Sequence, residues 1–192
     1  MSAVGIVGGS FDPVHHGHLI TAQDVALKRN LEKVFFIPCY ISPHKVNVEY
    51  SSPEHRVNML KLAIEDHPLF EFSDFEINRK EISYTVNTLM EFSKKYDEIE
   101  LIIGFDNLLK FDSWKEPDTI LKLAKLIVMK RHIDTDTKIY HKYFGEAVYV
   151  DTPTIEISGT EIRERIRKNL PIDYLVPPSV KNYIFENNLY RY

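Results

Sequence analysis

Short, unbroken apolar runs that alternate with segments of helical spacing constrain this chain more than any other feature of it. The first run, Ala3 to Val7, ends in Gly8-Gly9; beyond a turn carrying Pro13, Leu19, Ala22, Val25 and Ala26 recur at helical intervals. This is strand, glycine turn, helix. Lys33 to Ile37 is a second run, continuous rather than alternating, as expected of a strand covered by helices on both faces of a parallel sheet. Ser52 supplies an N-cap and Pro53 a first helical residue for a helix through Val57, Leu60, Leu62 and Ile64 that stops near Pro68. Residues 69–77 predict a third strand, Thr85 to Tyr96 a helix with Leu89 and Phe92 inward, and Glu100 to Gly104 a fourth strand. A helix over 117–124 and strands at Leu126 to Met129 and Val148 to Val150 follow, whereas 131–145 has weak periodicity. Helices over 160–169 and 179–188 complete the pattern, the latter with Val180, Tyr183 and Ile184 on one face after Pro177-Pro178. The expected class is α/β: a doubly wound parallel sheet of five to six strands, with helices on both faces and a helical C-terminus. With no internal repeat and no Gly/Ser linker in 192 residues, one domain over 1–192 is expected.

Composition narrows the functional classes. Charged residues are 27% of the chain and apolar ones 44%, which suits a globule with a core and a concave site and excludes a disordered chain. The formal charge is -4, and Lys and Arg are scattered among acids, so no basic stripe is available to follow a nucleic acid. A small phosphorylated ligand needs only a local cluster. Cys39 is the sole cysteine, which rules out an intramolecular disulfide, and no paired Cys/His spacing of a zinc site occurs. The N-terminal residues lack the positive n-region of a signal peptide, and no stretch approaches the roughly 18 apolar residues of a membrane span. The expectation is a cytoplasmic protein with neither nucleic acid nor membrane as partner, and with homo-oligomerisation left open.

Ligands of doubly wound sheets collect beyond the carboxyl ends of the strands, where the strand order reverses. The first such end is Gly8 to His18, GGSFDPVHHGH. Gly8 and Gly9 let the backbone turn sharply and come close to a phosphate, and the unsatisfied N–H groups at the helix start add a partial positive charge. His15 and His18, three apart, turn their rings toward one bound phosphate, with Gly17 leaving room for the ligand. Packing alone would account for any one of these residues; turn, close-approach glycines and paired imidazoles together point to a phosphate site. The dehydrogenase pattern GxGxxG is absent. A transition-metal cluster at His15, His16 and His18 lacks a carboxylate or cysteine at suitable spacing. His16, His55, His67, His132 and His141 carry no assignable role.

The run resembles the GxFDPxHxGH signature of the HxGH nucleotidyltransferase superfamily, and Ile157-Ser158-Gly159-Thr160-Glu161-Ile162-Arg163 resembles its second signature, ISSTxIR. The two in order are far more specific than either alone. Within the superfamily the resemblance is nearest to the bacterial nicotinate-nucleotide adenylyltransferases and spans essentially the whole chain. It is carried by Ser42-Pro43-His44-Lys45, Ser83-Tyr84-Thr85, Ile103-Gly104-Phe105-Asp106, Trp114 and Asn188-Leu189-Tyr190-Arg191. Ser10 stands where Thr is usual, Ser42 where a second Pro is common, and Gly159 where Ser or Ala is usual; the hydroxyls of Ser10, Ser158 and Thr160 remain available.

This resemblance implies a Rossmann-like sheet and in-line attack by the phosphate of nicotinic acid mononucleotide on the α-phosphorus of ATP. Pyrophosphate leaves, and nicotinic acid adenine dinucleotide is made for NAD synthesis. The nucleophile is already ionised, so positioning and charge stabilisation are the main tasks. The catalytic set implied is His18 at the α-phosphate, with His15, Arg163 and Lys45. ATP would be held by Gly8, Gly9, Ser10, Phe11, His15, His18, Gly104, Asp106 (at a ribose diol), Ser158, Thr160 and Arg163. The pyridine nucleotide would be held by His44, Lys45, Tyr84, Thr85, Trp114 and Lys115. Trp114 would stack on the ring, and main-chain amides around Thr85 and Lys115 would receive the nicotinate carboxylate; from composition alone Trp114 is equally a packing indole. Mg is expected with the triphosphate, without assigned protein ligands. Two rivals remain: the same chemistry on nicotinamide mononucleotide or another phosphate ester, and a non-catalytic nucleotide-sensing or RNA-binding module. Low charge and the lack of an added tRNA-binding domain count against the second.

Overall fold

The computed structural model describes residues 3–43, 51–130 and 141–191. Its strands are β1 Val4–Gly9, β2 Lys33–Pro38, β3 Phe70–Phe72, β4 Ile99–Gly104, β5 Lys125–Lys130 and β6 Val148–Asp151. Its helices are α1 His16–Arg29, α2 Pro53–Ile64, α3 Phe75–Arg79, α4 Thr85–Phe92, α5 Phe105–Leu108, α6 Pro117–Leu123, α7 Gly159–Arg167 and α8 Pro178–Glu186. The strands form one parallel sheet in the order β3-β2-β1-β4-β5-β6. The order reverses between β1 and β4, so the crevice for a ligand opens beyond Gly9 and Gly104.

The apolar runs are continuous because both faces of the sheet are covered. Val7, Val34, Phe36, Ile102 and Ile127 turn toward one face, where they meet Val25, Met59, Leu60, Ile162, Val180 and Ile184 from α1, α2, α7 and α8. Their strand neighbours Ile6, Ile37, Leu101, Ile103, Leu126 and Val128 turn to the other face and meet Val86, Leu89, Leu108 and Ile120 from α4, α5 and α6. Each fully buried side chain of this kind contributes roughly 1.5–3 kcal/mol. A charge intrudes at Glu100 of β4, only 4% exposed, and is compensated by Arg29 from the last turn of α1. The guanidinium grips both carboxylate oxygens, at 2.9 and 2.5 Å.

Six strands and the alternation stand as expected, but the third strand is much shorter than the predicted 69–77. It ends at Phe72: the bond from the Ser73 amide to the Phe36 carbonyl is the last rung of the ladder, and the Ser73 hydroxyl then accepts from the Phe75 amide, opening α3. That short helix was not legible, since its inward residue is an acid, Glu76. The helix from Thr85 stops at Phe92 rather than Tyr96, and α5, one turn long, was not foreseen. The weakly periodic stretch falls largely on residues 131–140, outside the described residues.

Candidate active site

The turn after β1 is built differently from the expectation. No described glycine has positive φ; the left-handed residue is Phe11, φ 49°, a conformation that costs a side-chain-bearing residue roughly 1–2 kcal/mol. Its ring is buried against Phe36 and against His18, with centroids 5.8 and 5.1 Å away, which offsets that cost. Gly8 and Gly9 therefore supply space rather than the sharp bend. A Cβ on Gly8 would meet nothing within 4 Å, whereas one on Gly9 would lie 3.1 Å from the Phe11 ring. Gly17 also departs from its expected role: a Cβ there would lie 3.0 Å from Nδ1 of His15, so the missing side chain makes room for that imidazole and not for a ligand.

His15 is the N-cap of α1, and His18 is the third residue of that helix. Their rings stack with centroids 3.6 Å apart. His15 is 6% exposed and lies beneath the half-buried His18. The His15 amide donates to Nδ1 of His18 at 3.3 Å, the reciprocal half of a capping box. A neutral imidazole that accepts at Nδ1 carries its proton at Nε2, so His18 presents a neutral N–H donor away from its own helix.

The second signature forms the start of α7. Ser158 caps that helix, its Oγ accepting from the Glu161 amide at 3.1 Å. Arg163 donates through Nη1 to the Asp12 carbonyl at 2.6 Å and through Nη2 to the Thr160 hydroxyl at 3.2 Å. A Cβ on Gly159 would stand 2.9 Å from the same Asp12 oxygen, so the glycine permits this close approach. The two signatures thus meet at Asp12. Asp12 is 4% exposed, and its carboxylate accepts from the Ser51 amide at 3.2 Å and from the Tyr190 hydroxyl at 2.5 Å. Burial first, then the adjacent Asp12 charge and hydrogen bond, holds the Tyr190 phenol far above the ordinary tyrosine range, so it stays a donor.

Across the switch point, Gly104 ends β4, and a Cβ on it would meet nothing within 4 Å. Asp106 follows, exposed in the first turn of α5. Tyr84 is the N-cap of α4 and Thr85 its first residue. Trp114 follows a 3-10 turn at Phe111–Ser113 and is half-buried, its ring 5.2 Å from that of Phe111. The neighbouring Lys115 ammonium lies 4.5 Å from the centroid of the Tyr84 ring. These contacts gather Tyr84, Thr85, Trp114 and Lys115. His44 and Lys45 lie outside the described residues, as does His132. Three other histidines have structural partners: His55 with the Tyr183 hydroxyl at 2.9 Å, His67 with Gln23 at 3.1 Å, and His141 with the Leu108 carbonyl at 2.8 Å.

Two residues that matter here were missed from sequence. Arg56, 1% exposed on α2, donates to the carbonyls of Ser10, Cys39, Tyr40 and Ser51 at 3.0, 2.6, 3.1 and 3.2 Å. Its signal is periodicity: it precedes the buried Met59 and Leu60 by three and four residues, so it falls on the inward stripe of its helix. Glu76 accepts from the Thr88 hydroxyl at 2.6 Å, and burial raises its pKa against the opposing hydrogen bonds from Thr88 and Ser83. Ser83 in turn pairs with the segment after β2, its Oγ accepting from the Tyr40 amide and its amide donating to the Ile41 carbonyl, both at 2.9 Å. This brings the start of α4 beside the end of β2. A cavity of about 510 Å³ opens elsewhere, among Phe35, Phe72, Phe75, Phe92 and Tyr96, and none of the signature residues lines it.

Among the described residues no group of three or more His, Cys, Asp or Glu is arranged to hold a metal, and no helix is long and apolar enough to cross a membrane.

Fold and site together define a nucleotidyltransferase: the chain matches the cytidylyltransferase-like family over residues 6–165 and belongs to it. Its curated relatives narrow this further. It is 43% identical over 194 residues to the probable nicotinate-nucleotide adenylyltransferase of Caldicellulosiruptor saccharolyticus, covering 98% of each chain. It is 39% identical over 196 residues to the nicotinate-nucleotide adenylyltransferase of Bacillus subtilis, covering 100% of each. Within the family the chain therefore falls among the nicotinate-nucleotide adenylyltransferases. In fold it is similar to the nicotinic acid mononucleotide adenylyltransferase of Plasmodium falciparum complexed with NaAD, with a TM-score of 0.78 and 24% identity over 99% of this chain and 98% of that one.

Proposed function

We propose that this protein joins ATP and nicotinic acid mononucleotide to give nicotinic acid adenine dinucleotide and pyrophosphate. The observation that carries the reading is the meeting at Asp12 of the stacked His15–His18 turn and the Arg163 helix, beside the point where the strand order reverses. A phosphate oxygen of the mononucleotide forms the new bond to the α-phosphorus, and the bond to the oxygen bridging the α- and β-phosphorus breaks, its electron pair leaving with pyrophosphate. No proton need be removed from the nucleophile.

The residues act by alignment and by charge stabilisation. His18 donates from Nε2 to an α-phosphate oxygen, and His15 holds it there from beneath. Arg163 has five N–H donors, more than its bonds to Asp12 and Thr160 use, and faces the triphosphate together with the hydroxyls of Ser10, Ser158 and Thr160. Gly8, Gly9 and Phe11 bring main-chain amides to the phosphates; Gly104 leaves room for the nucleoside, and Asp106 accepts from its ribose. On the other side Trp114 stacks on the pyridine ring while Tyr84 and Lys115 border it. Amides at Thr85 and Lys115 receive its carboxylate, which favours the acid over the amide. His44 and Lys45 are assigned to the phosphates of the bound nucleotides. When bound, Mg2+ would shield the charge of the triphosphate and of the leaving pyrophosphate; no residue of the chain is assigned to hold it. The reaction is placed in the cytosol and in one domain, residues 1–192.

The test is pyrophosphate release with ATP and a panel of acceptors, with the dinucleotide product resolved by chromatography. Nicotinic acid mononucleotide should react with a kcat/KM about tenfold or more above that of nicotinamide mononucleotide. Equal values would remove the acid preference. ATP binding without pyrophosphate release for any acceptor would make the protein a nucleotide sensor instead.

A further inference from the structure

We propose that Arg56 is a positioning residue for adenylyl transfer, aiming a main-chain amide of the phosphate turn at the nucleotide by holding the carbonyl on the opposite side of the same peptide. The role rests on the function proposed above. The Arg56 guanidinium sits within the fold and takes main-chain carbonyls from the turn after β1, the stretch after β2 and the entry to α2. Its base is rigid, since Met59 and Leu60 of the same helix are wholly buried.

In a trans peptide the C=O and the following N–H point in opposite directions. The Cys39–Tyr40 peptide displays the consequence: the Cys39 carbonyl accepts from Arg56, and the Tyr40 amide on its far side donates to Ser83. The Ser10–Phe11 peptide is also trans, the cis bond of this loop being Asp12–Pro13, and its Ser10 carbonyl accepts from the same Nη1 that holds Cys39. The Phe11 amide is thereby turned away from Arg56, on the turn that follows Gly8 and Gly9 of β1. A planar fork of five donors can serve several carbonyls at once in fixed directions; a lysine ammonium at the end of a flexible stem cannot.

The proposal is tested by two measurements. In wild-type protein labelled with nitrogen-15, the Phe11 amide proton should move downfield when a non-hydrolysable ATP analogue binds, and in R56K that shift should shrink or vanish. In the same variant kcat/KM for ATP, per folded molecule, should fall by about tenfold to a hundredfold, as for reacting groups displaced by a fraction of an ångström to an ångström. In R56A, added guanidinium at low concentration should restore part of the loss. A residue that merely fills space would lower the unfolding midpoint of R56K and leave its kcat/KM unchanged, and that result overturns the proposal. So does a wild-type Phe11 resonance unmoved by the analogue, a measurement that needs no variant to fold. Failure of the wild type to release pyrophosphate would instead strike the proposed function, and the Phe11 shift would still decide the role of Arg56.

Discussion

His18 concentrates the chemistry of the site because its two nitrogens have separate tasks. Nδ1 is taken by the His15 amide, so the proton resides on Nε2, where it can stabilise charge on a phosphoryl oxygen. His18→Ala should lower kcat by about a hundredfold or more while the circular dichroism spectrum is kept; a rate within a few-fold of wild type would remove the assignment. The pairing of His15 with His18 was legible from spacing alone, since residues three apart at a helix start share a face. The roles of the glycines were not. Whether a Cβ at Gly17 or Gly159 would strike an imidazole or a carbonyl depends on atoms brought there by the fold, and in Gly159 the partner is Asp12, from the other end of the chain. Arg56 was overlooked for a related reason: a charge on an inward stripe looks like an error of pattern until its carbonyl acceptors are known.

Among the elements, α3 and α4 show how a buried acid shapes the acceptor side. The β-strands were legible because apolar runs with both faces covered need no tertiary information. By contrast α3 is five residues long with a glutamate inward, and nothing local distinguishes it from an extension of β3. Glu76 is tolerated there because Thr88 and Ser83 give it hydrogen bonds, yet burial outweighs them and keeps its proton on to higher pH than an ordinary glutamate near 4.5. The folded protein thus binds more protons than the unfolded chain above that value. The stability Glu76 contributes is complete below about 4.5 and is lost as pH rises through the raised value in the fold. Glu76→Gln, which cannot ionise, should therefore gain in urea midpoint over wild type as the pH is raised from about 5 to about 8. A gap that stays constant over this range would mean that Glu76 is ionised throughout, and that α3 is held in some other way.

For the whole molecule, the decisive fact is that the two ends of the chain close on one residue. The alternation of strands and helices foretold the sheet, but periodicity has no means of saying which distant loops touch; only the paired signatures implied it. In the fold Asp12 receives Arg163 on its carbonyl, and Ser51 and Tyr190 on its carboxylate. Tyr190 lies beyond α8, so the C-terminal segment acts as a strap over the phosphate turn. Tyr190→Phe keeps the ring and removes the donor, leaving a buried carboxylate one hydrogen bond short, a loss of about 1.5–3 kcal/mol. Because Asp12 also anchors Arg163, KM for ATP should rise while KM for the pyridine nucleotide stays nearly constant. The pH dependence has a definite sign. In the unfolded chain this phenol ionises near 10, whereas the fold holds the proton above that, so its contribution is full below about 10 and lost as pH climbs further. Urea unfolding of wild type and Tyr190→Phe should thus show a stability difference that is constant from about pH 8.5 to just below about 10 and narrows from there to about 11. A difference that is pH-independent, together with an unchanged KM for ATP, would mean that the strap holds neither Asp12 nor the arginine behind it.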